Sequence, residues 1–356
     1  MSTKRLHNFW TKWRWECLLV LLIVVVAFVN ARASNYFLNS TNLLRMTSDF
    51  IEIGILILPM TFIIVTGNID LSIASTLALS ASLMGYLFMS GWNIWLAAGV
   101  ALLVSICAGL LNGVLIARLK LPALVVTLGT LSFYRGLAYA LLGDQAARGY
   151  PPEFTYLGQG TIGSTRIPFA LLIFIVLALA FGLVLHKTRF GRYLYAIGNN
   201  KDASRYAGVP VDRILITIYV LSSVVAALAG FILAARFGST RPDIGLGLEL
   251  SVITITVLGG VSIFGGSGTL VGVVLALILV AILRFGMGLM NLQGQVQDIV
   301  IGMLLIVSIL LPTLIERFRH TWHWQPRMLW QSLAALLVLV LFISFFFWSR
   351  SLILFR

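Results

Sequence analysis

Long apolar stretches alternate with short polar segments along most of the chain. A membrane-spanning helix needs about 20 mostly apolar residues, and the pattern predicts such helices in ten places. They cover residues 17–34, 50–66, 72–91, 94–117, 121–142, 167–186, 213–235, 248–264, 267–289 and 297–313. A further run at 329–348 would either cross the membrane or lie at its interface. We therefore predict an all-α polytopic membrane protein with about ten transmembrane helices, with broken helices near the midplane.

The first candidate break is "TGNIDLS", where Gly67, Asn68, Asp70 and Ser72 interrupt two apolar stretches. An aspartate at the centre of a membrane helix costs about 2.5–3.5 kcal/mol, so its presence needs a reason. Glycine loosens a helix, asparagine and aspartate favour local hydrogen bonds, and serine caps helices. One interpretation is a helix that ends and restarts beside a polar pathway, since non-helical backbone at depth is tolerated only there or inside protein. The other is a short loop at the membrane interface.

The second candidate break is the glycine-rich stretch "LGGVSIFGGSGTLVG", which includes Gly259, Gly260 and Ser262. It lacks the Gly-Lys-Ser/Thr of a nucleotide-binding loop, and close helix packing through small residues is the expected role. Residues 258–277 can be laid over 66–85. Transporters often contain two such related halves, but chance similarity between glycine-rich apolar stretches gives the same pattern.

The loop at 187–212 contains a predicted short helix at 201–207. Asn199 or Asn200 would cap its start and Gly208 would end it. This element is either a docking site for a cytoplasmic partner or a solvated turn whose charges only set the topology. For docking, the candidate residues are Gly198, Asn199, Asn200, Ala203, Arg205, Tyr206 and Gly208. Tyr206 would be an anchor, and Arg205 would point to an acidic group of the partner.

The composition supports membrane insertion and explains the basic charge. Only 10% of the residues are charged, whereas a soluble domain carries charge on about 25%. The net charge of +13 does not require nucleic acid, because lysine and arginine concentrate in cytoplasmic loops. With the N-terminus inside, fifteen of these residues fall in inner loops and six in outer loops. Residues 1–16 are then a basic cytoplasmic N-terminus, 17–313 the transmembrane domain, and 314–356 a basic linker with the run at 329–348.

Charged side chains inside apolar runs are expected to lie at the membrane interface. Arg135 and Arg284 lie towards predicted outer ends, where long side chains snorkel, and Glu52 and Glu249 lie near such ends too.

Candidate catalytic and metal-binding groups are scarce. Cys17 and Cys107 fall in apolar runs and predict neither a disulfide framework nor a metal site. His320 and His323 have helical spacing but no acidic or cysteine companion. No histidine at membrane depth accompanies a carboxylate, so we predict a non-catalytic protein with no cofactor and no metal.

Four motifs resemble one family of transporters: "IIVTGNIDLSIAS", "LNGVLIARLKLPALVVTLGT", "FGRYLYAIGNNKDASRYAGV" and "VLGGVSIFGGSGTLVG". They keep family order and spacing between Asp49 and Pro312. The sequence is similar to the permease subunits of ribose-type ATP-binding-cassette importers, and most similar to the rhamnose and autoinducer import permeases among them.

The resemblance implies an inner-membrane dimer, of two copies or of two paralogues, surrounded by lipid. It implies that a periplasmic binding protein delivers a monosaccharide and that a separate ATPase drives its release inwards. The helix around Asn199–Gly208 would be the coupling helix gripped by that ATPase, and Gly67–Ser72 would lie beside the translocation path. Asn68 departs mildly from the usual glycine. Arg241 and Asp243, with the loop at 143–166, would then form the docking face for the binding protein.

Two other classes fit less well. A secondary transporter or channel for a small polar solute usually carries several intramembrane acids or a histidine relay, whereas this chain offers essentially Asp70. A membrane scaffold would not need paired breaks.

Overall fold

The computed structural model describes residues 14–163, 165–304, 306 and 310. Its helices are α1 Arg14–Ala33, α2 Ser40–Val65, α3 Ile73–Met89, α4 Ile94–Ala117, α5 Ala123–Leu142, α6 Pro152–Gln159, α7 Phe169–Lys187, α8 Arg189–Asn199, α9 Lys201–Tyr206, α10 Val211–Phe237, α11 Leu248–Leu258 and α12 Leu270–Leu289. Its strands are β1 Ala147–Arg148 and β2 Ser239–Thr240. Residues 294–304 are helical as well. The predicted segment at 329–348 and the linker at 314–356 lie outside the described residues.

The predicted all-α polytopic membrane fold is confirmed. Seven helices in the described part of the chain are long and apolar enough to cross a membrane, and α3 and α11 are shorter apolar helices. Two boundaries differ from the prediction by more than three residues. Helix α2 begins at Ser40 and not near residue 50, because the Asn39 side chain accepts a hydrogen bond from the backbone nitrogen of Thr41 and caps a polar first turn. Helix α11 ends at Leu258 and not at residue 264. Gly259 and Gly260 follow directly after Leu258.

Helices α2 and α10 form the centre of the bundle. Residues 51–66 are buried without interruption, as expected for a helix that is apolar on all sides. Helix α10 packs along α4 and also contacts α2, α3 and α6. A Cβ atom on Gly109 of α4 would lie 2.7 Å from the carbonyl oxygen of Tyr219 in α10. Small residues therefore bring these two backbones together, as they do between membrane helices generally.

Polar side chains fasten α1 to the second half of the bundle. The indole nitrogen of Trp15 donates to the carbonyl oxygen of Leu258 at 2.9 Å, and the Asn30 amide donates to the carbonyl oxygen of Ile282 at 3.0 Å. Each bond satisfies a side-chain donor that would otherwise be unpaired in an apolar environment. Helix α1 is thus fixed along α12.

A short antiparallel sheet lies at the end of the bundle opposite α8 and α9. Strand β1 pairs with β2 so that Ala147 faces Thr240, and the Tyr150 hydroxyl donates to Thr240 Oγ1 at 2.7 Å. Helix α6 follows β1 and packs against α10. The loop at 143–166 is therefore held to the segment that follows α10.

Candidate functional site

The chain leaves the helical conformation between Val65 and Ile73, at the predicted break. Asn68 turns back on the end of α2, where its amide donates to Thr66 Oγ1 at 2.9 Å. Asp70 holds the restart. Its Oδ1 atom accepts from the backbone nitrogen of Ser72 at 2.9 Å and from the Ser72 hydroxyl at 2.6 Å.

The carboxylate of Asp70 is enclosed by three helices, with only 2% of the residue exposed. Ser222 of α10 donates to its Oδ2 atom at 3.1 Å, and Asn112 of α4 donates to Ser72 Oγ at 2.9 Å. Within the described residues, the hydroxyl of Tyr219 and Asn112 Oδ1 are buried without a hydrogen-bond partner. Asp70 is therefore not in an exposed interfacial loop. It belongs to a buried polar cluster in which one donor and one acceptor atom are unused, while its place on a translocation path stays a prediction.

Ser72 does not cap α3 in the way expected from the sequence. It stands at the N-cap position, but its side chain makes no capping bond, because its backbone is already helical with φ −80° and ψ −6°. An N-cap side chain normally reaches the first turn from an extended backbone. The hydroxyl instead joins Asp70 to Asn112.

The second interruption occupies the residues between α11 and α12. Gly259 is the close-packed member, since a Cβ atom there would lie 2.5 Å from Cα of Val273 in α12. Gly260 lies beside the Trp15 ring. Ser262 closes a compact turn, with its backbone nitrogen donating to Ser267 and its carbonyl oxygen accepting from Gly265.

The two interruptions touch. The backbone nitrogen of Gly266 donates to the carbonyl oxygen of Val65 at 2.9 Å. A Cβ atom on Gly265 would lie 2.8 Å from the backbone nitrogen of Gly67. Both breaks therefore meet at the end of the bundle where α8 and α9 lie.

Helix α9 occupies the position of the predicted docking helix and ends at Tyr206. Of the two asparagines considered, Asn200 is the cap, with Oδ1 accepting from the backbone nitrogen of Ala203 at 2.8 Å. Asn199 instead donates to the carbonyl oxygen of Tyr195 at 2.8 Å. Gly208 turns the chain with φ +82°, a conformation that glycine adopts without steric cost.

One face of α9 is open to solvent. Ala203 and Ala207 are exposed, and Tyr206 is 92% exposed. Arg205 does not point outwards as predicted but pairs with Asp212 at the start of α10. The turn at Gly208 brings these two side chains together, so the guanidinium is used within the chain. Docking on the remaining open face stays a prediction.

Gly198 connects α8 to both interruptions. A Cβ atom at this position would lie 1.9 Å from the carbonyl oxygen of Val65 and 2.4 Å from the backbone nitrogen of Gly266. Real Cβ atoms do not approach this closely, so only glycine fits. The Tyr195 hydroxyl adds a bond to the carbonyl oxygen of Gly268 at 2.8 Å. The segment that ends in α9 therefore lies directly on the two breaks.

Arg241 and Asp243 form an exposed ion pair, with 3.3 Å between Arg241 Nε and Asp243 Oδ1. Arg135 holds the same segment and does not snorkel to an interface. Its guanidinium donates to the carbonyl oxygens of Pro242 and Ile244, both at 2.8 Å. The sequence signal for this contact was an arginine within an apolar run. The two carbonyl groups that it bonds lie more than a hundred residues away in the chain.

Glu52 was also misplaced by the sequence interpretation. It is 2% exposed, and Arg236 Nε lies 2.9 Å from its Oε1 atom. The two atoms are at ion-pair distance without the alignment of a hydrogen bond. Glu52 thus faces the bundle interior and not the lipid interface. Among the described residues, no group of three or more His, Cys, Asp or Glu side chains is placed to hold a metal ion.

Comparison with known proteins supports the resemblance seen in the motifs. Three curated relatives carry the name Autoinducer 2 import system permease protein LsrD. The Klebsiella pneumoniae protein is 38% identical over 321 residues, which cover 88% of this chain and 96% of the relative. The Enterobacter protein is 37% identical over 305 residues, with 84% and 93% covered. The Yersinia enterocolitica protein is 37% identical over 308 residues, with 85% and 92% covered.

No solved structure matches the chain. Residues 42–309 match the family described as branched-chain amino acid transport system / permease component. The matched range includes both interruptions, α8 and α9, and the Arg241–Asp243 segment. The chain therefore belongs to this family of transport permeases.

Proposed function

We propose that the chain is the permease subunit of an ATP-binding-cassette importer that moves a monosaccharide or related small sugar-like solute into the cytoplasm. The relatives named as autoinducer 2 import permeases, matched over most of their length, support this class of cargo. One structural observation carries the proposal: Gly198, at the end of α8, lies against Val65 and Gly266 at the same time. A partner that moves α8 and α9 therefore acts on both interruptions.

A separate ATPase subunit is the partner proposed for α9. Supporting this, Ala203, Tyr206 and Ala207 present small and aromatic side chains on one open face. The N-cap at Asn200 and the Arg205–Asp212 pair make the helix a rigid element. Only a rigid element transmits the motion of a partner instead of absorbing it.

A periplasmic binding protein is the partner proposed for the opposite end. Arg241 and Asp243 lie there with the loop at 143–166, exposed and close to helix ends. Rim charges of this kind govern association rate and its salt dependence. The proposed assembly also contains a second permease, with which this chain forms a dimer. It lies in the inner membrane, with the N-terminus of this chain in the cytoplasm.

The alternative is a secondary transporter or channel for a small polar solute. Asp70 and Glu52 are both buried acids, a feature of ion-coupled carriers. Each has nearby neutralising or hydrogen-bonding groups: Ser72 and Ser222 for Asp70, and Arg236 for Glu52. A carrier also has no use for an exposed α9 that directly follows a helix, α8, packed on both breaks.

Energy source separates the two functions. The chain is co-expressed with the products of its neighbouring genes, purified, and placed in proteoliposomes with ATP inside. The proposal expects co-purification of the ATPase and solute uptake that needs both ATP and the binding protein. Uptake that persists without the ATPase and follows a proton or sodium gradient would establish the carrier instead.

A further inference from the structure

A cavity of about 560 Å³ opens at the end of the bundle opposite α8 and α9. Its volume falls within the range of roughly 300–1,000 Å³ typical of small-molecule sites. Its charged lining consists of Asp49, Glu52, Arg236, Arg241, Asp243 and Arg284. The cavity is distinct from the Asp70 cluster and is formed by α2, α10, α12 and the segment at 239–248.

The segment between β2 and α11 carries the cavity wall deep into the bundle. The Cβ atom of Thr240 lies 3.6 Å from the position that a Cβ atom on Gly85 of α3 would occupy. Further along the segment, a Cβ atom on Gly245 would lie 3.0 Å from the side chain of Leu77, also in α3. These two residues of α3 are eight apart, about 12 Å along a helix. Arg135 fixes the wall and also reaches the carbonyl oxygen of Ala74 at 3.3 Å. Ala74 is four residues after Asp70, so Arg135 links the wall to the first turn of α3 after the first interruption.

The charges in the cavity balance. Its lining contains three carboxylates and three guanidinium groups. Bringing a charged solute into such a site would leave the added charge without compensation, which is unfavourable away from water. A neutral polar solute avoids this cost.

Two polar atoms in the cavity have unused hydrogen-bonding capacity. Glu52 is 98% buried, and its Oε1 atom is paired with Arg236 Nε at 2.9 Å. Within the described residues, Glu52 Oε2 and Arg284 Nε are buried without a hydrogen-bond partner. Buried groups left in this state are destabilising. A molecule with hydroxyl groups can donate to Glu52 and accept from Arg284 at once.

We propose that this cavity is a solute-binding site of the permease itself for a neutral, hydroxylated molecule of monosaccharide size. Glu52 accepts from a hydroxyl group through its Oε2 atom, and Arg284 donates to a hydroxyl oxygen. This inference rests on the proposed function and adds that the permease selects its solute before the Asp70 cluster. Selectivity then does not reside in the binding protein alone.

Solute protection of a cysteine in the cavity tests the proposal. Ser239 lines the cavity, and Ser239→Cys is made with Cys17→Ser and Cys107→Ser in the full chain, purified with its ATPase. A membrane-impermeant maleimide reports accessibility. Millimolar D-ribose, L-rhamnose or autoinducer 2 is expected to slow labelling severalfold, whereas charged D-gluconate and D-glucosamine protect much less.

The substitution Glu52→Gln keeps the size of the side chain but makes it a weaker hydrogen-bond acceptor. It should abolish the protection of Ser239→Cys by the solute. Glu249→Gln, a matched change near the same end but outside the cavity lining, should keep it. If Glu52→Gln does not purify, protection in the Ser239→Cys protein alone still decides. Equal labelling with and without every solute, in a complex that shows ATP-driven uptake, would overturn the site and leave the importer intact. Protection without ATP-driven uptake would support the site and contradict the importer.

Discussion

The backbone nitrogen of Gly266 donates to the carbonyl oxygen of Val65 at 2.9 Å, which fastens the second interruption to the end of α2. This bond joins residues two hundred positions apart, and Gly198 covers it from the side of α8. The broken segments and the proposed coupling element therefore form one contact.

Gly198→Ala should separate the breaks from α8. The added methyl group would overlap the carbonyl oxygen of Val65, and overpacking of this kind costs typically 1–3 kcal/mol. We expect a lower melting temperature of the purified permease and a larger loss in uptake than in ATP hydrolysis. Gly129→Ala is the matched control, because no atom lies within 4 Å of the added methyl there. Normal uptake by Gly198→Ala would remove Gly198 from the coupling contact.

Asp70→Ala should destabilise the restart of α3. It leaves the backbone nitrogen of Ser72 without its acceptor, and an unpaired buried group costs about 1–3 kcal/mol. Asp70→Asn should be milder, since its amide oxygen still accepts from Ser72 and its amino group can donate to Ser222. Thermal unfolding and uptake are both measured, with the exposed Asp144→Ala as the control for stability. Equal stability of Asp70→Ala and the unmodified chain would contradict a structural role of the carboxylate.

Ala203→Glu should disrupt docking of the ATPase without preventing folding. Ala203 is exposed on α9, so a larger charged side chain costs the isolated permease little but obstructs a groove that receives the helix. We expect normal insertion and purification, loss of the ATPase on co-purification, and loss of uptake. Ala203→Ser, which keeps the side chain small, should assemble. A complex of Ala203→Glu that transports at the unmodified rate would leave α9 with a topological role only.

Arg241→Glu should weaken the action of the binding protein. It reverses the charge of an exposed side chain and leaves Asp243 beside a like charge, where steering of a charged partner is sensitive to salt. The ratio of stimulated to basal ATPase rate should fall, most strongly at low ionic strength. The exchange Arg241→Asp with Asp243→Arg keeps the total charge and should recover part of the ratio. An unchanged ratio across a salt series would place docking elsewhere.

The sequence was most informative where a polar residue interrupted an apolar run. Asp70 predicted the first interruption, because a charged residue at membrane depth is costly. The cluster of glycines after Leu258 predicted the second, because several glycines close together weaken a helix. The same local chemistry limited the candidates for the N-cap of α9 to two asparagines. Such features depend on neighbours within a few positions, which the linear sequence contains.

The sequence interpretation was wrong where the environment of a residue depends on its burial and on partners that are distant in the chain. Glu52 and Arg135 were placed at an interface because the position of a residue along a helix does not reveal what packs on it. Glu52 meets Arg236, and Arg135 meets a segment that re-enters the bundle. Gly198 was included only as part of the loop, and its contact with Val65 and Gly266 follows from tertiary packing. These relations needed the structure.

Helix α10 connects the two ends of the molecule as a single stiff rod. Its 27 residues correspond to a length of about 40 Å. Asp212 in its first turn is tied to Arg205 of α9, and Arg236 in its last turn is tied to Asp49 and Glu52. A tilt of this rod about its middle, where Ser222 meets Asp70, would move both ends in opposite directions. A displacement of α9 and a change in the cavity at the opposite end would then be one mechanical event, with the Asp70 cluster as its pivot.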